Sequence, residues 1–171
     1  MGKRLTKKEK DLNRKANNAY DNCRYRVKNV STYSNVSICS EWMNNRRSFI
    51  QWYKDNYVEN WQVDKDIMGD GTLYSPGTCI MVPPEVNLLF RDSTNGTGYK
   101  GVYPNGSGMY YARIRKHSVL ETIGTYSTAE EAHQEYLSER AIILHELAEK
   151  YSNYPVLSRL LKEEATSCLT R

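Results

Sequence analysis

Residues 99–136 read YKGVYPNGSGMYYARIRKHSVLETIGTYSTAEEAHQEY, and they contain the clearest secondary-structure pattern of the chain. Three short runs of alternating apolar and polar residues are separated by turns that contain glycine, which predicts three antiparallel β-strands. The sequence at 127–130 predicts a capping box, with the Ser127 hydroxyl and the Glu130 carboxylate as its two members. Apolar residues then recur at helical spacing for about six turns. The stretch therefore predicts a three-stranded sheet packed on one long helix.

The second predicted strand separates its side chains onto two faces, because successive residues of a strand point in opposite directions. One face is small and apolar and suits a position under the helix: Tyr110, Ala112 and Ile114. The other face is aromatic and cationic: Tyr111, Arg113 and Arg115. Arginine donates two hydrogen bonds to guanine in the major groove, so we expect this face to bind DNA, with Lys116 beside it and Lys100 on a phosphate. The alternative is a solvated polar strand face, which is common in antiparallel sheets.

Five motifs follow one another in a fixed order here: Gly101-Val102, Tyr111-Ala112-Arg113-Ile114, Ile123-Gly124-Thr125-Tyr126, Thr128-Ala129-Glu130-Glu131-Ala132 and Tyr136. In that order they resemble the Apetala-type, or ethylene-response-factor, DNA-binding domain. The resemblance implies that the sheet reads double-stranded DNA in the major groove. This sequence has fewer arginines than the plant domains, which implies weaker sequence specificity.

The middle of the chain, WQVDKDIMGDGTLYSPGTCIMVPPEVN at residues 61–87, has the order strand, loop, strand, helix. It resembles the ββα-metal region of phage and homing endonucleases of the HNH type. The resemblance implies catalytic roles for Asp64, Lys65 and Asn87, and a Mg²⁺ ion held by Asp64 and Asp66. Lys65 stands where those nucleases have a water-activating histidine, and Thr78 is a poor metal ligand. A protonated lysine cannot accept a proton from water unless its pKa falls strongly.

The two likenesses together resemble phage proteins that join an HNH-like unit to an Apetala-type module. The shared residues are Cys39 to Trp42, Asp64 to Ile67, Tyr74 to Pro76, Thr78-Cys79, Val82-Pro83 and Asn87. The resemblance leaves two functions open. One is a divalent-metal-dependent DNA endonuclease, and the other is a catalytically inactive DNA-binding regulator or phage inhibitor of a host defence complex.

The expected fold class is α+β, in three segments. Residues 1–36 form a basic helical segment, residues 37–92 a degenerate HNH-like unit with flanking helices, and residues 97–171 the Apetala-type unit with a helical tail. Single helices are expected over 5–27 and 40–57, and a strand over 61–67. Of these segments, the first carries the strongest charge excess.

Charge is distributed unevenly along the 171 residues, whose formal net charge is +4. Residues 1–30 hold ten basic and three acidic groups, so the first helix is expected either to follow nucleic-acid phosphates or to present a solvated charged face. No apolar run is long enough to cross a membrane, and the start of the chain does not resemble a secretory signal. We therefore expect a cytoplasmic protein that does not enter membranes. The resemblance to phage proteins implies the cytoplasm of the host cell and double-stranded DNA as the partner, and the inhibitor alternative adds a host protein complex.

The four cysteines leave a further alternative open. Cys23, Cys39 and Cys79 could bind zinc together with His117, because thiolate and imidazole are zinc ligands. Their spacing lacks a CxxC pair, and buried reduced thiols are the simpler interpretation.

Overall fold

The computed structural model describes residues 4–91, 96–116 and 119–171, and it confirms the predicted α+β class. Two compact units follow one another along the chain, Met1–Pro84 and Glu85–Arg171. Within the described ranges, no helix combines the length and the apolar character that a membrane crossing requires.

The first unit is built on one long helix and short strands. Its elements are α1 (Lys7–Asn29), β1 (Ser37–Ile38), α2 (Ser40–Asn44), α3 (Arg46–Asp55), β2 (Gln62–Asp64), β3 (Leu73–Tyr74) and β4 (Ile80–Val82). Strands β1 and β3 pair in parallel, and β2 pairs with β4 in antiparallel register. Helix α1 packs against α3, so the basic segment 1–36 shares one compact unit with the residues that follow it.

Helix α1 begins at a capping box in which the Thr6 hydroxyl accepts from the amide of Glu9 and the Glu9 carboxylate accepts from the amide of Thr6. Its buried face carries Ala16, Tyr20 and Cys23. The ring of Tyr20 lies 5.3 Å from that of Phe49 on α3, and its hydroxyl donates to the carbonyl of Trp42 at 2.9 Å. Aromatic packing of this kind stabilises a core that has little aliphatic content.

The predicted single helix over 40–57 is wrong, because the chain breaks it at Asn45. This residue has extended backbone angles, and its side-chain oxygen accepts from the amide of Arg47 at 3.1 Å. Asparagine competes with the backbone for hydrogen bonds and so favours caps over helix interiors. The break separates α2 from α3, and both Trp42 and Phe49 still reach the core.

The predicted strand over 61–67 ends early, at Asp64. One carboxylate oxygen of Asp64, Oδ1, accepts from the amides of Asp66 and Ile67, each at 2.9 Å. These bonds turn the chain out of the β2–β4 ladder, in the way that aspartate commonly forms turns.

The second unit has the predicted three-stranded sheet and long helix. Its elements are α4 (Pro84–Phe90, of which Pro84 closes the first unit), β5 (Val102–Pro104), β6 (Tyr110–Lys116), β7 (Val119–Tyr126), α5 (Ala129–Lys150) and α6 (Pro155–Thr170). The antiparallel order is β5-β6-β7, with an irregular register between Ala112 and Arg113. Helix α5 covers one face of the sheet, and α6 packs against α5.

Helix α4 belongs mainly to this second unit, whereas the sequence placed it with the nuclease-like segment. Glu85 on α4 pairs with Lys150 of α5 at 2.6 Å and accepts from the hydroxyl of Tyr151. The Lys100 ammonium donates to the carbonyl of Leu89 at 2.9 Å. These polar contacts hold both ends of the helix to the residues that follow it.

The capping box of α5 lies one residue later than the sequence predicted. Thr128 is the cap and Glu131 its partner, while the Ser127 hydroxyl also donates to Glu131 at 2.7 Å. Glu130 instead accepts from the hydroxyl of Tyr99 at 2.8 Å. Ser127 and Thr128 are both hydroxyl residues, and Glu130 and Glu131 are both glutamates, so the sequence allows the capping box at either position. The contact between Glu130 and Tyr99 leaves Glu131 to form the box with Thr128.

Gly101 allows the sheet to approach α5 closely. Its φ is +77°, and a Cβ at this position would lie 2.1 Å from Cδ2 of Tyr136. Gly106, in the β5–β6 turn, also has a positive φ of +75°, but a Cβ there would have no atom within 4 Å. The two glycines share backbone conformation and differ only in their surroundings.

We expect Gly101→Ala to lower the free energy of unfolding by about 1–3 kcal/mol more than Gly106→Ala does. Both substitutions strain a left-handed residue, and only the first forces a methyl group into the Tyr136 ring. Urea unfolding followed by circular dichroism measures both variants. Equal losses would contradict the close approach.

Candidate nucleic-acid interface on the three-stranded sheet

The β5-β6-β7 sheet has one face covered and one face open. Val102 and Ala112 are opposite each other on β5 and β6 and are buried under α5, as is Ile114. The next opposite pair is Tyr103 and Tyr111. Because alternate residues point to opposite faces, these two tyrosines lie on the face away from α5.

Arg113 lies over both tyrosines on the open face. The carbon at the centre of its guanidinium group is 4.6 Å from the ring centroid of Tyr111 and 5.5 Å from that of Tyr103. Its buried Nε finds no hydrogen-bond acceptor, and Arg113 forms no ion pair with any described residue. Contact with aromatic faces orients a guanidinium and removes part of its hydration. The open face therefore presents an oriented cation without an anionic partner.

The other predicted DNA-binding residues differ in their surroundings. Arg115 follows on the same strand and is exposed, and it borders a pocket of about 70 Å³ formed with residues of α4 and α5. Lys116 reaches α5, where its ammonium lies 3.9 Å from Glu139 and 3.6 Å from Glu146. The Lys100 ammonium donates to a main-chain carbonyl of α4, as described above. The structure thus brings Tyr111 and Arg113 together and gives Lys100 and Lys116 partners within the unit.

Tyr103 was missed by the sequence reasoning. The feature that could have identified Tyr103 is the short turn between β5 and β6. This turn is closed by a hydrogen bond from the amide of Asn105 to the carbonyl of Met109. Counting outward from that bond places Tyr103 opposite Tyr111, so the cross-strand pair could have been found from the hairpin alone.

Asp64, the predicted metal ligand and catalytic residue, is 3 % exposed. Its Oδ1 is occupied by two main-chain amides, and its Oδ2 is buried without a partner. The pKa of Asp64 is raised to about 6, mainly by burial and to a smaller extent by the Asp66 carboxylate, while the two amides and the Lys65 ammonium act to lower it. This carboxylate acts as a turn cap in a weakly polar environment.

Lys65, the predicted catalytic lysine, is 6 % exposed and ion-paired. Its ammonium lies 2.6 Å from Oδ1 of Asp66 and over the rings of Tyr33 and Tyr74, at 5.1 and 5.7 Å from their centroids. The Lys65 ammonium is thus engaged by one carboxylate and two aromatic rings within the first unit. Asn87, the third predicted catalytic residue, lies on α4 in the second unit.

The two predicted magnesium ligands, Asp64 and Asp66, do not fit a magnesium site as they are arranged. Oδ1 of Asp64 accepts from two main-chain amides, its Oδ2 is buried, and Oδ1 of Asp66 is paired with the Lys65 ammonium. A bound magnesium ion usually keeps several waters and so needs more open carboxylates. Across residues 4–91, 96–116 and 119–171, no group of three or more His, Cys, Asp or Glu side chains is arranged to hold a metal ion.

Cys23 and Cys79 are buried thiols, which agrees with the simpler interpretation of the cysteines. Burial raises the pKa of Cys23 to about 11 and that of Cys79 to about 12. His117, the predicted imidazole ligand, lies outside the described residues.

We expect Asp64→Asn to gain stability relative to the natural chain as pH rises. Folding raises the pKa of Asp64 to about 6, so the natural chain loses stability between its unfolded pKa, about 4, and that value. Asparagine keeps the acceptor for both amides and does not ionise. The melting temperature of the variant minus that of the natural chain should therefore increase from pH 4 to pH 7.5. The corresponding increase in the free energy of unfolding is at most about 3 kcal/mol.

Asp70→Asn is the matched control in the same loop. Hydrogen bonds from the Thr72 hydroxyl and amide lower the pKa of Asp70, so its carboxylate stabilises the fold above its unfolded pKa and loses that effect in acid. The melting difference for this variant should change in the opposite direction, mostly below about pH 4. If the melting temperatures of Asp64→Asn and of the natural chain change with pH in the same way, ionisation of the buried carboxylate does not lower stability, and the prediction is wrong.

The comparisons with other proteins leave the assignment to the chain's own residues. No protein-family model, no curated protein and no solved structure matches this chain. The sheet face around Arg113 is therefore judged by its geometry and chemistry.

Proposed function

We propose that this chain is a double-stranded-DNA-binding protein that contacts the major groove with the open face of the β5-β6-β7 sheet. The observation that carries the proposal is Arg113, an oriented guanidinium on two tyrosine rings without an acid partner among the described residues. The Apetala-type motifs at residues 101–136 support the same assignment.

The dimensions and chemistry of this face suit the groove. A major groove about 12 Å wide admits a β-ribbon, and arginine pairs with O6 and N7 of guanine through two parallel hydrogen bonds. Tyr103 and Tyr111 hold the guanidinium of Arg113 before DNA arrives, which reduces the entropy lost on binding. Thr122 and Thr125, opposite Arg113 and Tyr111 on β7, add hydroxyl groups to the same face. One oriented arginine favours a limited sequence preference.

The middle of the chain serves, in this proposal, as a structural part of the first unit. Asp64 caps a turn, and the Lys65 ammonium is neutralised by Asp66. Neither group is placed to activate water or to hold a metal ion. The proposed protein binds DNA without cleaving it, which agrees with the non-catalytic alternative that the sequence left open.

Arg113→Ala should reduce discrimination between preferred and scrambled duplexes by about 1–3 kcal/mol, because it removes a two-bond base contact. Arg113→Lys keeps the charge and loses the planar fork, so it should retain general affinity and lose discrimination. The preferred duplex is first selected from a random library with the natural chain, and affinities are then measured by fluorescence anisotropy.

Lys116→Gln is the control on the same strand. Its ammonium faces Glu139 and Glu146 on α5, so this variant should bind both duplexes as the natural chain does. Discrimination that survives Arg113→Ala but disappears in Lys116→Gln would place the reading surface elsewhere.

Supercoiled plasmid incubated with the natural chain and Mg²⁺ or Mn²⁺ should remain intact, because Asp64 caps a turn and Lys65 is paired with Asp66. The variant Lys65→His tests whether the histidine of the nuclease pattern restores activity, and it should also leave the plasmid uncut. Nicking by the natural chain that disappears in Asp64→Asn would instead establish the endonuclease.

A further inference from the structure

Helix α1 carries basic residues in a regular stripe along one side. Seven positions alternate in steps of three and four residues, which keeps them on one side of a helix. They are Lys7, Lys10, Arg14, Asn17, Asp21, Arg24 and Lys28. Five of them are cationic, and the buried residues of the helix, Ala16, Tyr20 and Cys23, lie outside the stripe.

Arg46 of α3 closes the gap in the middle of the stripe. Its Nε donates to Oδ1 of Asn17 at 2.9 Å, and its Nη2 lies 2.8 Å from Oδ2 of Asp21. Its guanidinium also lies 4.9 Å from the ring centroid of Tyr20. The acid in the stripe is thereby neutralised by a cation from another helix. Basic character then continues from Lys7 to Lys28, which the sequence of α1 alone does not show.

The cations of the stripe have few internal partners. Lys7, Lys10, Arg24 and Lys28 are exposed and form no ion pair with the described part of the chain. Arg14 pairs with Asp11 at 3.1 Å, and both side chains are largely exposed. Surface pairs of this kind contribute little and exchange readily for another anion.

We infer that this stripe, together with Arg46, is a second DNA-contacting surface, which binds the phosphate backbone of duplex DNA without reading sequence. The inference rests on the proposed function only in taking the same ligand, because the surface belongs to the first unit and the reading face to the second. The stripe spans 22 residues from Lys7 to Lys28, or about 32 Å of helix. That length is close to one turn of the duplex, roughly 34 Å.

The charge pattern of the stripe and the burial of the apolar face of α1 indicate duplex DNA as the ligand. A cation at almost every turn over this length matches a rod of regularly spaced phosphates. Membrane-surface helices need an apolar face for the lipid, and here the apolar face of α1 is already buried in the core of the first unit. Tyr25 is a large aromatic side chain of α1 that stays exposed. A tyrosine can stack on a base or hydrogen bond to the nucleic-acid backbone.

The test removes three cations from the stripe with Lys7→Gln, Lys10→Gln and Lys28→Gln in one chain. Glutamine keeps helix propensity, and circular dichroism confirms the fold. The matched control removes three cations from α6 and the residue that caps its end, with Arg159→Gln, Lys162→Gln and Arg171→Gln, whose side chains are 59, 50 and 56 % exposed. Both variants change net charge equally. Binding to a 30-base-pair duplex of random sequence is measured by anisotropy at several KCl concentrations.

The stripe variant should bind more weakly than the control, and its plot of log affinity against log salt should be shallower by about 0.9 for each phosphate that is no longer neutralised. Asp21→Asn is a second variant with the opposite expected sign, because it removes the acid and frees Arg46 for phosphate. It should bind duplex more tightly at low salt. A stripe variant with the same slope and affinity as the α6 control would overturn the inference. A loss of affinity for structured RNA, with duplex binding intact, would also overturn it.

The same measurements separate this inference from the proposed function. If Arg113→Ala loses discrimination while the stripe variant equals the α6 control, the sheet reads DNA and the stripe does not bind it. If the stripe variant loses affinity while Arg113→Ala keeps its discrimination, the stripe binds phosphate and the proposed reading face is wrong. A natural chain that does not bind duplex DNA overturns both.

Discussion

The open face of the second unit depends on the packing of Ala112 and Ile114 under α5. Both side chains are buried, and the alternation of a β-strand then directs Tyr111 and Arg113 to the other face. A shift of one residue in β6 would exchange the two sets and place a guanidinium in the core. Hydrophobic burial on one face therefore determines which chemistry the other face presents, without any interaction that is specific to DNA.

The close contact between Gly101 and Tyr136 extends this constraint to β5. Because no Cβ occupies the space beside the Tyr136 ring, Val102 can reach the covered face and be fully buried. Tyr103, the next residue, then lies opposite Tyr111. The two rings under Arg113 thus owe their positions to a glycine and a tyrosine on the far side of the sheet.

Buried charge has a structural role in both units. Lys65 is paired with Asp66 in the first unit, and Arg140 is paired with Glu164 in the second, where its Nη1 also lies 2.9 Å from Sγ of Cys168. A charge removed from water requires a partner in good geometry, because its desolvation is costly. Among the described residues, Arg113 on the sheet and Lys7, Lys10, Arg24 and Lys28 on α1 form no such ion pair.

Local periodicity and composition are enough to predict the covered and open faces of β6, the long α5 helix and the basic character of α1. They do not predict the break at Asn45, the capping residue of α5 or the turn at Asp64, where side-chain hydrogen bonds select between near-equal local conformations. The partners of the charged groups depend on how the elements pack. Lys116 meets acids of α5, Lys65 is withdrawn into the first unit, and Arg46 neutralises an acid on α1, because these ion pairs join residues that are close in space and, apart from Lys65 and Asp66, distant in the chain.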